Sequence, residues 1–280
     1  MTLDRRLTPA TDRIALESLC GVIERPAYTP GHAARLAVPL ADLLTAPEGR
    51  RDRQVNFGAD LTVIEERDGW CFVQAALDGY CGWLRADALT RVLPPVTHRV
   101  TAPATHVYPA PDMKQPERAS LSIGARLSVT GTDGRFARLA TGGFVPVQHI
   151  GDQPAADPVP VAESLVGTPY LWGGNSRWGI DCSGLAQAAL TACGIPCPGD
   201  SDLQRAAFPA ADDIRRGDLL FWPGHVALAM SPDRMIHATA WTMSVITESI
   251  PDAIARIDAQ GDGPFLDVRR PPLAPGTALA

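Results

Sequence analysis

Residues 167–184 read G-T-P-Y-L-W-G-G-N-S-R-W-G-I-D-C-S-G, a glycine-rich loop that ends in a cysteine. The apolar positions that follow, from Leu185 to Ala192, recur at helical spacing, so the pattern predicts a helix whose first turn contains Cys182. A thiol at that position faces unpaired backbone N–H groups and the positive end of the helix, and both favour the thiolate. The stretch therefore makes Cys182 a candidate nucleophile. The alternative is a small buried hydrophobic residue, which is what most free cysteines are.

Two histidines follow the cysteine in a pattern typical of a β-hairpin. His225 begins one short apolar run and His237 lies toward the end of the next, with the turn residues Ser231, Pro232 and Asp233 between the runs. In an antiparallel pair these two positions can lie side by side. A thiol, a base and a second polar group that orients the base are the requirements for acyl transfer by a cysteine, although either histidine alone would be a weak signal.

The motifs P-Y-L-W-G-G, D-C-S-G-L, R-G-D-L-L-F-W, G-H-V-A-L and I-H-A occur in this order from about residue 155 to the end. In this they resemble the NlpC/p60 family of cell-wall cysteine peptidases, which have a papain-like fold. The resemblance implies that Cys182 attacks the substrate, that His225 is the base and that His237 orients it.

The resemblance also implies a set of substrate-binding residues. Tyr170 matches a tyrosine whose hydroxyl points at the cysteine and either holds the substrate carbonyl or completes the oxyanion site, and Ser183 matches a residue that lines the subsite for the stem peptide. Asp200 and Ser201 match a pair that binds the stem peptide, the aspartate binding the free amino group of its first L-alanine. The structural alternatives are a half-buried loop aromatic for Tyr170 and a helix cap for Ser201. Asp181 reads as a helix cap, not as a catalytic acid.

The composition of the chain indicates which classes of binding partner and which cellular compartment to expect. The chain has 280 residues, a net charge of −6 and no dense run of Lys and Arg, which argues against a nucleic-acid partner. Neither a signal peptide nor a run of eighteen apolar residues is evident, so we expect a cytoplasmic protein with no membrane partner. The six cysteines are then expected to be reduced. No cofactor or metal is expected, because a zinc site built from Cys182, His225 and His237 would lack a fourth ligand.

Upstream of the catalytic region the sequence has the texture of short strands and tight turns. Residues 1–33 are expected to form an extension with a short helix at 11–19, followed by two small β-rich domains at 34–94 and 95–151 and the catalytic domain at 152–280. Asp-Gly turns at 68–69 and 133–134, together with similar flanking residues, indicate a tandem repeat. Both copies resemble bacterial SH3-like domains.

The first repeat carries one further candidate, Tyr80, in the strand D-G-Y-C-G-W. In the branch of the family that carries SH3-like domains, a tyrosine at this place reaches the L-alanine amine. Relatives commonly have a glutamate where this chain has Ala59, and adjacent strand residues face opposite sides, so Asp60 is not a simple replacement. The alternative for this domain is pure packing or attachment to the wall.

Within the catalytic domain, Asp157 and Pro158 indicate the start of a helix that we expect to reach about Val166. Ser201 followed by Gln204 is a capping-box pattern. Strands are predicted at about 218–222, 225–230, 234–239, 243–248 and 265–269, with a helix near 251–259 between the last two.

The predicted fold is α+β, a papain-like NlpC/p60 catalytic domain preceded by two small SH3-like β-barrels. The predicted reaction is hydrolysis of the γ-D-glutamyl bond to a diamino acid in murein stem peptides that begin with a free L-alanine, in the recycling of wall fragments. Two alternatives stay open. One is a peptide-binding module with a vestigial thiol site, and the other is an amidase or acyltransferase on a substrate other than murein.

Overall fold

The computed structural model describes residues 3–272, and its chain divides into two compact units. The first unit runs to Val100 and continues over Ala104–Gly151. The second comprises Thr101–Pro103 and the chain from Asp152 onward.

The first part of the first unit is built on one seven-stranded sheet, in the order β5-β4-β8-β7-β6-β3-β9. We call the part formed by β3 to β9 the first lobe. The strands to this point are β1 (Ile14–Leu16), β2 (Ala27–Thr29), β3 (His32–Leu36), β4 (Leu40–Leu44), β5 (Arg51–Asn56), β6 (Asp60–Arg67), β7 (Trp70–Ala75), β8 (Cys81–Arg85) and β9 (Leu89–Thr90). The Asp-Gly turn at 68–69 follows the sequence prediction. The β6–β7 hairpin turns at Asp68 and Gly69, both with positive φ (52° and 76°), and Gly79 before β8 also has φ 76°.

The helix predicted at residues 11–19 is wrong. Ile14–Leu16 forms strand β1, which pairs in parallel with β2, and only Glu17–Leu19 forms a single 3₁₀ turn. A segment this short gains too few helical hydrogen bonds to offset the cost of helix nucleation, so pairing with a neighbouring strand wins.

The second lobe of this unit, residues 95–100 and 104–151, consists of short strands in small sheets. These are β10 (His98–Val100), β11 (Ala104–Val107), β12 (Ala119–Ser122), β13 (Arg126–Leu127), β14 (Val129–Asp133), β15 (Phe136–Leu139), β16 (Phe144–Pro146) and β17 (Ile150–Gly151). In both lobes a hairpin is followed by a third antiparallel strand, a 3₁₀ turn and a short last strand that pairs with the first strand of its lobe.

The two lobes meet closely at Gly58. A Cβ added to this residue would lie 2.0 Å from the backbone oxygen of Arg126, and its φ is +75°. Next to this contact, Arg126 N donates to Phe57 O (2.9 Å) and the Arg126 guanidinium pairs with Asp60 (2.6 Å). Only glycine fits at position 58, because both the close approach and the backbone conformation exclude a side chain.

The second unit packs helices on a six-stranded sheet in the order β20-β25-β21-β22-β23-β24. Its elements are α1 (Pro158–Glu163), β18 (Asn175–Ser176), β19 (Gly179–Ile180), α2 (Cys182–Ala192), α3 (Ser201–Ala207), β20 (Ala210–Ala211), β21 (Leu219–Trp222), β22 (His225–Ala229), β23 (Arg234–Thr239), β24 (Ser244–Ser249), α4 (Ile250–Gln260) and β25 (Asp267–Arg269). Strands β21, β22, β23, β24 and β25 and helix α4 confirm the elements predicted from the sequence, with ends that differ by at most two residues. The cap at Asp157 is confirmed by its bond from Val159 N, but α1 ends at Glu163, before the expected Val166.

One face of this sheet packs against α4. Alternate strand residues Ala227, Ala229 and Met235 share a buried cluster with Ile250, Ala253 and Ile257 of the helix. His225 lies two residues before Ala227 and His237 two residues after Met235, so both histidines are on the face that α4 covers.

Candidate active site

Cys182 is the first residue of α2, as the sequence predicted. Asp181 caps the helix, because its Oδ1 accepts a hydrogen bond from Gly184 N (2.7 Å). The other carboxylate oxygen, Oδ2, accepts from Gly173 N (2.8 Å) in the preceding loop. One aspartate therefore fixes both the helix start and the loop around the nucleophile.

The thiol is buried, and its electrostatic environment is mixed. Burial and the nearby Asp181 charge raise the pKa of Cys182 to about 12, although hydrogen bonds from the backbone N–H groups of Val226, Ser183 and Cys182 lower it. The N–H groups act as the sequence predicted, but the loss of hydration outweighs them. In the resting protein the residue is a thiol, and its Sγ lies 4.0 Å from Gly224 O.

The two predicted histidines lie together, and the backbone on either side of the first one contacts the thiol. His225 Nε2 is 2.8 Å from His237 Nδ1, and the two rings cross at 67°. His225 lies between Gly224 and Val226, whose backbone groups contact Cys182 Sγ. Nε2 of His225 faces His237, and Nδ1 is the other ring nitrogen of His225.

Both rings are uncharged near neutral pH. Burial lowers the pKa of His225 to about 3, with further lowering by His237 and Arg256 against a smaller opposing effect of Glu248. Burial and then Arg256 lower the pKa of His237 to about 4. In the resting site the thiol and both imidazoles are thus neutral, and the first histidine can accept a proton.

A carboxylate and a guanidinium that the sequence analysis missed lie behind His237. Glu248 Oε2 is 3.2 Å from His237 Nε2, at an angle that leaves this nitrogen without a hydrogen bond among residues 3–272. Arg256 binds both oxygens of the carboxylate (2.9 and 2.7 Å). Strand register was the available signal, since Glu248 pairs directly with Met235 and so shares a face with His237.

Tyr170 lies at the start of the loop that leads to Cys182. Its backbone N donates to Met243 O (2.8 Å), and its side chain is half-buried. Burial raises the pKa of Tyr170, and the charges of Cys182 and Asp181 raise it further. The phenol is therefore within electrostatic reach of the thiol.

The segment that contains Asp200 is connected to the cysteine helix by a buried glutamine. Gln204 is fully buried, and its Nε2 donates to Ser183 O (2.9 Å) and Pro198 O (3.0 Å). The predicted capping box is wrong for this reason. The N-cap of α3 is Asp200, Ser201 is the first helical residue, and the side chain of Gln204 points inward to the neighbouring backbone.

Asp200 itself has an unusual backbone conformation, φ 58° and ψ 141°, which is rare for a residue other than glycine. Such a conformation costs about 1–3 kcal/mol and persists only where the surroundings impose it. Asp200 and Ser201 are both half-buried. The Ser183 hydroxyl donates to Asp181 Oδ1 (2.9 Å), so it faces the cap of its own helix.

Tyr80 lies in the first unit, where it is 2% exposed within the apolar cluster of the first lobe. The guanidinium of Arg53 lies 5.0 Å from its ring centre. Asp60, beside Ala59, pairs with Arg35 (2.7 Å) and Arg126 (2.6 Å), so its carboxylate is engaged within its own unit. Substrate contact by Tyr80 stays a prediction.

Two findings concern ligands and membranes. Within residues 3–272, no group of three or more His, Cys, Asp or Glu side chains is placed to bind a metal ion. No helix over the same residues is long and apolar enough to cross a bilayer.

Comparison with known proteins gives two family matches. Residues 167–256 match the model of the NlpC/P60 family, and residues 43–89 match the model of a bacterial dipeptidyl-peptidase Sh3 domain. The second match covers most of the first lobe.

Among curated proteins, the chain is 30% identical to a gamma-D-glutamyl-L-lysine dipeptidyl-peptidase of Bacillus subtilis, over 70% of this chain and 76% of the relative. It is 29% identical to dipeptidyl-peptidase 6 of Lysinibacillus sphaericus, over 71% and 84%. The crystal structure of an NlpC/P60 family protein from Bacillus cereus superimposes with a TM-score of 0.72 over 87% of this chain and all of that one, at 23% identity, and so shares the fold.

Proposed function

Since the chain belongs to the NlpC/P60 family of cysteine peptidases, we propose that it hydrolyses the bond between D-glutamate and the diamino acid in murein stem peptides. We further propose that its substrates are released fragments with a free N-terminal L-alanine. The observation that carries the proposal is the row of Cys182, His225 and His237, in which the ring nitrogens of the histidines are 2.8 Å apart and the thiol contacts the backbone on either side of His225.

The reaction follows from the neutral resting state of that row. As Sγ of Cys182 attacks the γ-carbonyl carbon, its proton passes to Nδ1 of His225, so the thiolate forms during attack. His237 Nδ1 faces the opposite nitrogen of the His225 ring and stabilises the imidazolium. His225 then gives the proton to the leaving amine. In the second step His225 takes a proton from water as the water attacks the thioester, and it returns this proton to Sγ as the new carboxylic acid leaves.

The oxyanion of the tetrahedral intermediate needs donors near Sγ. The backbone N–H of Cys182 is one, since it points at the thiol from the first turn of α2. Tyr170 supplies the second in our proposal, because its hydroxyl stays protonated at working pH: burial raises its pKa.

Asp200 is the proposed partner of the substrate amine, with Ser201 and Ser183 lining the subsite. Its strained backbone supports this assignment, because strain of this kind clusters at sites that bind ligands. A carboxylate and an ammonium in a closed site form a charge-assisted hydrogen bond of about 1.5–3 kcal/mol.

For the first unit we propose two SH3-like β-barrels, with domain limits 34–94 and 95–151 after an extension at 1–33. The shared order of hairpin, third strand, 3₁₀ turn and last strand supports a second copy. We propose that Tyr80 of the first copy contributes to amine recognition. Because Asp60 is engaged by two arginines, it does not replace the glutamate that Ala59 lacks, and the demand for a free amine is expected to be weaker.

We place the reaction in the cytoplasm, as a step in the recycling of wall peptides. All six cysteines carry free thiols, which suits a reducing compartment.

The test is mass spectrometry of the protein incubated with L-Ala-γ-D-Glu-meso-diaminopimelate, with its L-lysine counterpart, and with the N-acetylated form of each. Release of L-Ala-D-Glu from the free peptides alone supports the peptidase and its amine subsite. Cleavage of acetylated peptides as well supports the peptidase but contradicts the requirement for a free amine. Cleavage of none, with Cys182 reduced, contradicts the proposed substrate and favours an amide outside murein.

One variant distinguishes a peptidase from a peptide-binding module with a vestigial thiol site. Cys182→Ala is expected to abolish turnover and to leave binding of the same peptides intact. Wild-type protein that binds the peptides tightly but never cleaves them, and that behaves in all respects like Cys182→Ala, would favour the binding module.

A further inference from the structure

Which ring nitrogens of His225 and His237 carry protons depends on a third side chain, that of Glu248. His225 Nε2 and His237 Nδ1 are 2.8 Å apart, and both rings are neutral near pH 7, so one of the two nitrogens carries the shared proton. If His237 Nδ1 carries it, His225 Nε2 accepts, and the proton of His225 sits on Nδ1, the nitrogen that takes the Cys182 proton in the proposed reaction. The ring is then unable to act as a base toward Cys182.

Glu248 resolves this choice through the far side of the His237 ring. Its Oε2 is 3.2 Å from His237 Nε2, an atom that is fully buried and has no hydrogen-bond partner among the described residues. A carboxylate accepts and never donates, so the nitrogen that faces it is the protonated one. The terminal torsions of Glu and His are broad, and a small rotation of either brings the N–H into line.

We propose that Glu248 is a positioning residue that fixes the proton of His237 on Nε2, so that His225 carries its proton on Nε2 and presents an unprotonated Nδ1 to Cys182. The proposal rests on the proposed roles of Cys182, His225 and His237. It adds a fourth member to that row, which acts only through His237.

Arg256 fixes the carboxylate in this position. Its Nε and Nη2 bind Oε1 and Oε2 of Glu248 at 2.9 and 2.7 Å, and its Nη1 donates to Gln260 Oε1 (2.9 Å). Its guanidinium lies 4.2 Å from the ring centre of Trp241. A bidentate pair of this kind keeps the Glu248 carboxylate aligned, with both side chains mostly buried (13% exposed for Glu248 and 16% for Arg256).

The matched control is the ion pair between Arg205 and Asp267. Arg205 binds the Asp267 carboxylate through Nε and Nη2 (3.0 and 2.7 Å), in the same unit and with no contact to the histidine row. Asp267→Asn therefore makes the same chemical change as Glu248→Gln, at a place where the proposal predicts no effect on the histidines.

The experiment is ¹⁵N NMR of protein labelled in its histidine rings, in which two-bond proton couplings separate Nε2–H from Nδ1–H rings. His225→Asn and His237→Asn assign the two signals. In wild type, and in Asp267→Asn, both rings are expected as Nε2–H. In Glu248→Gln the amide oxygen turns toward Arg256 and its NH₂ faces His237, so both rings are expected to move to Nδ1–H.

In Glu248→Gln we expect the rate of Cys182 alkylation by iodoacetamide to fall together with kcat/KM. The expected loss is about tenfold to a hundredfold, the range for loss of a histidine's orienting partner, and KM should change little. Glu248→Asp, which keeps the acceptor, is expected to recover part of the loss. Wild-type rings in the Nδ1–H form, or unchanged rings and alkylation rates in folded Glu248→Gln, would overturn the proposal. The NMR and alkylation readouts use no peptide, so a wild-type protein that cleaves no murein peptide contradicts the proposed function and leaves this test valid.

Discussion

The two sides of the candidate active site position their residues in different ways. On the helix side, Cys182 is fixed by local backbone contacts, with Asp181 as cap and N–H groups around the thiol. On the sheet side, His225 is fixed by a row of side chains that runs through His237 to Glu248.

The two sides differ in how far apart in the sequence the contacting residues lie, and in how much a single substitution costs. A helix start is specified by a few adjacent residues and loses about 0.5–2 kcal/mol when its cap is removed. A buried row of polar side chains fails as a unit, because each member leaves its neighbour without a partner in a site of low polarity. The sheet side should therefore lose far more activity per substitution than the helix side, the nucleophile itself excepted.

The largest effect is expected for His237→Ala. Removing the ring leaves His225 Nε2 without the partner 2.8 Å away and frees the base to rotate, so kcat is expected to fall about a thousandfold or more. His237→Asn keeps a polar group and should recover part of the loss. Steady-state kinetics on the cleaved stem peptide measure both, and equal activity of His237→Ala and wild type would contradict the orienting role.

The same contrast explains how much the sequence could predict. The helix start at Cys182, its cap and the hairpin with both histidines could be predicted because each depends on neighbours within a few residues. Glu248 and Arg256 were missed because Glu on a strand and Arg on a helix are usually solvated, and only the pairing of Glu248 with Met235 across two strands puts them behind His237.

The capping-box pattern at Ser201 failed for a related reason. A cap is a local signal, but Gln204 finds its partners at Ser183 and Pro198, in segments that only the folded chain brings close. The Gln204 amide therefore forms hydrogen bonds with these tertiary partners and not with the end of its own helix, and no pattern of adjacent residues indicates those partners.

Gln204→Leu is the next test, at the point where the helix side connects to the Asp200 segment. The change leaves the carbonyls of Ser183 and Pro198 without their buried donor, at about 1–3 kcal/mol for each. We expect the free energy of unfolding of the second unit to fall by about 2–4 kcal/mol, measured by urea titration with hydrogen exchange in α2. We also expect KM for the free peptide to rise more than kcat falls, since Asp200 is displaced and the histidines are not.

Gln204→Glu separates the two effects of that change. It keeps the shape of the side chain but removes the donor, and it introduces a buried charge. A KM that stays at the wild-type value in both variants, with stability reduced, would show that the Asp200 segment does not depend on Gln204.

Lowering the pH should reduce the free energy of unfolding through the two histidines of the sheet side. Burial lowers the pKa of His225 to about 3 and that of His237 to about 4, whereas in the unfolded chain both titrate near 6.5. Between these values the unfolded chain binds more protons, so stability is full above about pH 6.5 and falls as the pH drops. Near pH 4.5 the unfolded chain carries a proton on each ring, whereas the folded pair carries almost none, so we expect a loss on the order of 5 kcal/mol between pH 7.5 and pH 4.5.

The control for this pH dependence is a variant without the two rings, His225→Gln with His237→Asn. Its unfolding free energy, measured by the same urea titrations, should change less over this pH range than that of wild type. The same slope in both proteins would assign the acid sensitivity to carboxylates elsewhere in the chain.

The smallest effect is expected at the cap, on the helix side. Asp181→Ala removes the acceptor for Gly184 N and Gly173 N and should cost about 1 kcal/mol of stability. Asp181→Asn keeps one acceptor and removes the charge that raises the pKa of Cys182 after burial. A lower thiol pKa means more thiolate at a given pH, so alkylation by iodoacetamide at pH 8 should be a few times faster in Asp181→Asn than in wild type. Slower alkylation in the folded Asn variant would mean that the carboxylate assists the nucleophile, and the helix side would then depend on a side-chain charge just as the sheet side does.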